Sequence, residues 1–114
     1  MPRFFCDIIQ NMDKLQSETE LIQKLRDIIN YLSNKTPYSI NFNDADKYEY
    51  EIYLIANEWN KLFPEQSFEN EFPIIDKLWE LLSSWNVEDE KDLKKCEQII
   101  ELAKKAKSEL VKSR

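Results

Sequence analysis

The chain has 114 residues, the usual size of one domain and enough to bury roughly two thirds of the surface its unfolded form would expose. It is 42% hydrophobic, 12% aromatic and 33% charged with a net charge of −6, too rich in large apolar residues for a disordered tail and too weakly charged for a duplex-DNA mimic. Glycine and histidine are both absent, which removes the backbone freedom that phosphate-cradling loops, dinucleotide fingerprints and nucleophile elbows need, together with the commonest general base and zinc ligand.

Residues 1–16 carry Phe4, Phe5, Ile8, Ile9, Met12 and Leu15 at a spacing that lays one apolar stripe along a helix, with Pro2 tolerated in its first turn. Ser17 with Glu20 three residues later is a capping-box signature. It predicts that a second helix starts there, its inner face made of Leu21, Ile22, Leu25, Ile28, Ile29 and Leu32. The period is lost over residues 33–43, SNKTPYSINFN, which read as a surface loop around Pro37; within it YSINF is the one run with the look of a short strand. Asn43 or Asp44 is expected to cap a third helix, in which Tyr48, Ile52, Ile55, Trp59 and Leu62 share a face and which Pro64 ends. Residues 64–72, PEQSFENEF, read as a loop. Pro73 then opens a fourth helix that buries Ile74, Ile75, Leu78, Trp79, Leu82 and Trp85. A fifth begins within NVEDEKD and carries Leu93, Cys96, Ile99, Ile100, Ala103, Ala106 and Leu110. Acids gather in its first turns and Lys104, Lys105, Lys107, Lys112 and Arg114 near its end, a polarity that complements the helix dipole without a ligand. The expected architecture is an all-α, compact single-domain bundle of about five helices over residues 1–114.

The longest apolar run, residues 52–56, is far short of the ~20 needed to span a bilayer, and Asp7 interrupts the apolar stretch that a signal peptide would need after Arg3. A soluble, cytoplasmic protein with no membrane contact is expected. Cys6 and Cys96 lack CxxC spacing and are expected to be reduced, packed thiols.

Charge is unevenly distributed. Residues 1–43 hold five acids and five bases and residues 87–114 seven acids and eight bases, whereas residues 44–86 hold ten acids and three bases, net −7. That middle stretch also has nine of the fourteen aromatic residues. At about 100° per residue, the side of the third helix opposite Tyr48, Ile55 and Trp59 presents Asp46, Glu49, Tyr50, Tyr53, Asn57 and Asn60. Tyrosine gives large contact area at little entropic cost, and flanking carboxylates select a Lys/Arg-rich partner. The alternative is a third helix central in the bundle, with Tyr50, Tyr53 and Leu54 packed against a second neighbour and the hydroxyls reaching the surface. The candidate contact residues are Asp46, Glu49, Tyr50, Tyr53 and Asn57, joined by Glu65, Glu69 and Glu71 from the loop that follows.

Other chemistries fit less well. Asp44, Asp46 and Tyr48 begin like a calcium loop, but Glu49 stands where glycine is needed and Ile55 where the bidentate glutamate is needed. A magnesium site of carboxylate pairs on two helices finds one pair only, Asp89 with Asp92. The lysines of residues 94–107 alternate with Glu97, Glu101 and Glu109 as on a solvated, ion-paired face, so nucleic acid is not the expected partner. Cys6 has no histidine to activate it. The expectation is a non-enzymatic acidic binding module without cofactor or metal, whose basic protein partner it neutralises. Immunity proteins and antitoxins acting on nuclease toxins work this way, as would a phage inhibitor of a defence nuclease. The rival is a non-catalytic structural subunit of a larger assembly, with the aromatics as an obligate interface.

Overall fold

In the computed structural model, which describes the backbone of residues 2–113 and the side chains of residues 14–111, five α-helices follow one another: α1 (Pro2–Ser33), α2 (Phe42–Leu62), α3 (Phe68–Glu71), α4 (Pro73–Ser83) and α5 (Leu93–Ser113). A 3-10 turn, Val87–Lys91, precedes α5, and there is no strand among the described residues, YSINF included. No helix among them is long and apolar enough to cross a membrane.

The four long helices run up, down, up and down. Tyr31 near the end of α1 meets Asp44 and Tyr48 at the start of α2, while Lys14 sits 5.4 Å from the ring of Phe63 at the other end. Glu49 of α2 reaches Trp79 and Ser83 in α4, and Glu109 near the end of α5 accepts hydrogen bonds from the Ile74 and Ile75 amides at the start of α4. Each long helix packs on two neighbours in the ring α1–α2–α4–α5, and among the described residues the backbones of the diagonal pairs do not meet. Short connections enforce this arrangement, because a chain that turns within about ten residues has to return antiparallel. The buried residues form one contiguous core, from Leu21 and Leu25 of α1 through Ile52 and Trp59, Ile75 and Leu78, to Ile99 and Leu110 of α5.

Five helices are reached by a different partition from the expected one. The two expected helices are one, Pro2–Ser33, because a capping signature starts a helix only where the preceding chain departs from helical geometry, and nothing from Arg3 to Ser17 forces it to. The polar residues at the expected break hydrogen-bond along the helix instead: Thr19 Oγ1 donates to the Leu15 carbonyl, and Gln16 to Glu20 at 3.4 Å. Leu15, expected on the buried stripe, is 62% exposed, level with the last turn of α2. The side chains of Phe4, Phe5, Cys6, Ile8, Ile9 and Met12 lie outside the described residues. The cap of α2 is Asn41, whose Oδ1 accepts from the Asp44 amide at 2.8 Å; Asn43 and Asp44 are already helical.

The expected loop 64–72 instead closes one end of the core. Phe68 and Phe72 are buried one helical turn apart with their rings 5.2 Å from each other, and Phe72 meets Trp59 edge-on at 5.0 Å, while Trp59 is also 4.6 Å from the Phe63 ring. Two hydrogen bonds pin the segment to α2: Trp59 Nε1 to the Gln66 carbonyl, and the Phe68 amide to Asn60 Oδ1, both 2.8 Å.

Before α5, the acids are structural. Asp89 accepts from the Asn86 amide and from Lys95 Nζ, both at 2.8 Å, and Asp92 Oδ1 accepts from the Lys94 and Lys95 amides, capping α5. Leu93, expected to be buried, is 40% exposed in the first turn of α5, and the buried stripe begins at Cys96. The Lys95 ammonium, then the Asn86 amide, hold the Asp89 carboxyl below its ordinary range. A carboxyl depressed in the folded state contributes stability above about pH 4, its unfolded range, and loses it as pH falls through the lower folded value. Asp89→Asn should therefore lower the urea midpoint at pH 6 and differ progressively less from the wild type toward pH 3. A gap that persists unchanged at pH 3 would assign the effect to packing.

Candidate functional site

The helix periods that bury Ile52 and Trp59 in α2, and Ile75, Leu78 and Leu82 in α4, leave one flank of each helix turned to a shared, open face. From α2 this face takes Asp46, Glu49, Tyr50, Tyr53 and Asn57, and from α4 it takes Asp76, Trp79, Glu80 and Ser83. Tyr50 is 58% exposed, Tyr53 43% and Leu54 45%, so α2 is not enclosed by a second neighbour on this side and the packed alternative for these residues does not hold.

Three rings form a continuous row. Tyr50 and Tyr53, one helical turn apart, stack with centroids 6.3 Å apart, and Tyr53 continues onto Trp79 at 6.2 Å. Trp79, expected in the core, is half-buried: its inner edge packs on the core while its indole N–H points across the helix interface and donates to Glu49 Oε1 at 3.2 Å. That bond fixes the Glu49 carboxylate beside the aromatic row; the Ser83 hydroxyl, which donates to the Trp79 carbonyl at 2.9 Å, lies 3.4 Å from the same Oε1, and among the described residues Oε2 has no hydrogen bond. Glu49 is accordingly half-buried. An open depression of about 330 Å³ lies over Trp79, lined by Glu80, Ser83 and Ser84.

The electrostatics are of one sign. Asp76 is held above its ordinary carboxyl range, first by partial burial and then by the charges of Glu80 and Glu69. Asp46, Glu49, Glu69, Asp76 and Glu80 have no ion pair among the described residues. Lys61 is turned aside to Glu58 at 4.0 Å.

Of the sequence-predicted contact residues, Asp46, Glu49, Tyr50, Tyr53 and Asn57 share the face, and Glu69 stands near enough at its edge for its charge to act on Asp76. Glu65 is not part of it: it lines a depression with Lys14, Phe63 and Pro64 on the α1 side of the bundle end. Glu71 is half-buried at the end of α3, and Asn60 serves to hold Phe68. Asp76, Trp79, Glu80 and Ser83 were not among the predicted residues. The signal for them was Asp76 and Glu80 at i, i+4 flanking a tryptophan, masked by assigning Trp79 wholly to the core.

The remaining candidates are occupied by structural roles. Asp44 accepts from Tyr31 at 3.3 Å and pairs with Lys35 at 3.7 Å, and Asp89 and Asp92 serve the turn before α5. Among the described residues no group of three or more Cys, Asp or Glu is placed to hold a metal ion. Burial, followed by the charges of Asp92, Asp89 and Glu90, pushes the Cys96 thiol up, so it stays protonated in the core. A larger groove, about 970 Å³, runs along α5 beside Lys35 and Leu81; its lysines 94, 104 and 105 lie among Glu97 and Glu101 at helical spacing, and Lys35 is paired with Asp44, which leaves only a small positive excess. Compared with protein families, with curated proteins and with solved structures, the chain matches none.

Proposed function

We propose that this chain is a protein-binding module whose α2/α4 face engages a basic protein and neutralises it, in the manner of an immunity protein, an antitoxin or a phage inhibitor directed at a nuclease. The observation that carries this reading is the joining of Tyr50, Tyr53 and Trp79 in one exposed row with the unpaired carboxylates of Asp46, Glu49, Asp76 and Glu80 around it. Carboxylates can occupy the positions that phosphates take in a nuclease cleft, and exposed aromatic rings supply the apolar anchors that hold such a complex after electrostatic encounter. The same physics disfavours nucleic acid, which this face repels.

Capture of partners on the immobilised protein, identified by mass spectrometry, followed by binding kinetics at two salt concentrations, tests the proposal. The expected partner is basic, its association slows several-fold as ionic strength rises, and its nuclease activity falls on binding. Association indifferent to salt would remove the electrostatic reading.

A further inference from the structure

We infer that the α2/α4 face is a guanidinium receptor: an arginine of the basic partner seats in the depression over Trp79, with its plane on the aromatic row and its N–H groups forked onto Glu49 and Glu80. This rests on the proposed binding of a basic partner and narrows it from net charge to one side-chain chemistry.

Two features of the face match arginine better than lysine. The Glu49 carboxylate is oriented before any partner arrives, because Trp79 Nε1 donates to Oε1, and among the described residues Oε2 is left as a vacant acceptor beside the ring. A planar cation with donors at its edge can lie on the ring and reach that oxygen together, whereas an ammonium is a compact point charge that is more strongly hydrated. The rings of Tyr53 and Trp79 are neighbours, centroids 6.2 Å apart and inclined at 44°, so that a planar cation lying on one ring is flanked by the other. The floor of the depression is predominantly apolar, with Glu80 on its rim, which accommodates the methylene stem of either long cationic side chain below its charged head. Acid crowding around Asp76, Glu80 and Glu69 adds a standing repulsion that a bound cation relieves.

Fluorescence supplies a local readout, since Trp59 and Trp85 are buried at 1% and 3% exposure and Trp79 is the tryptophan an external ligand reaches. The probes are two synthetic peptides of equal length and charge, identical except that every cation is arginine in one and lysine in the other, titrated into the full chain at low ionic strength. The arginine peptide is expected to bind about three- to tenfold more tightly and to change the tryptophan emission. In Glu49→Gln the retained amide oxygen can still accept from Trp79, so the fold is kept, and the arginine preference should collapse toward unity. Trp79→Phe should abolish the emission change and weaken the preference. Equal, salt-sensitive binding of both peptides, or a preference untouched by Glu49→Gln, overturns the guanidinium receptor and leaves a basic-partner surface standing. Binding of neither peptide overturns both.

Discussion

Replacing Trp59 with alanine is expected to lower the unfolding free energy by about 3 to 5 kcal/mol, the largest single effect in this chain. The indole is 1% exposed, lies 4.6 Å from the Phe63 ring and 5.0 Å edge-on from the Phe72 ring, and its N–H holds the Gln66 carbonyl at 2.8 Å. Truncation opens a cavity at the bundle end, and it also frees the segment whose Phe68 and Phe72 close that end. A domain of this size stands only some 5 to 15 kcal/mol above its unfolded state, so the melting temperature should fall by roughly 10 to 25 °C. Trp59→Phe separates the contributions: it keeps most ring packing, strands the Gln66 carbonyl and should cost about 1 to 3 kcal/mol. Urea denaturation with calorimetry reads both. A loss below about 1 kcal/mol for Trp59→Ala would mean that the aromatic cluster does not close the core.

Tyr53→Ala should act on binding and spare the fold. Its ring is 43% exposed and touches Tyr50 and Trp79 on the outer face, so its removal is expected to change stability by less than about 1 kcal/mol. As the middle ring of the row it should cost about 2 kcal/mol of affinity, seen as an off-rate roughly 30-fold faster. Glu49→Lys contrasts with it: reversing a charge on the approach surface lowers the on-rate most at low salt. Surface plasmon resonance against the captured partner, with melting curves matched to wild type, distinguishes the two. An off-rate unmoved by Tyr53→Ala places the contact elsewhere on the bundle.

Tyr50 and Tyr53 illustrate how far the site was readable. Helical period put them on the polar side of α2 with Asp46, Glu49 and Asn57, and they stand there. Whether that side was covered was not a local question, since a second neighbouring helix would have presented the same spacing. Trp79 was misassigned for a related reason. An apolar stripe names the residues near the core side of a helix, yet those at its margin fall at a helix junction, where one edge packs and the other meets solvent. Glu65 and Glu69 lie four residues apart in the chain, but the turn through Phe68 sends one toward Lys14 and the other toward Asp76.

The sequence by itself determined what short-range physics controls: helical periods, the proline-marked limits of α2 and α4, most core positions of the long helices between Leu21 and Leu110, and the acidic, aromatic bias of residues 44–86. Tertiary structure alone decided that residues 2–33 form one helix, that Phe68 and Phe72 turn an apparent loop into the end of the core, and that α4 completes the candidate site. Each of those outcomes depends on partners distant in sequence. A helix start, a buried loop ring and an oriented carboxylate are settled by what lies across the interface, such as Trp79 for Glu49 thirty residues earlier, and no window along the chain contains both members of such a pair.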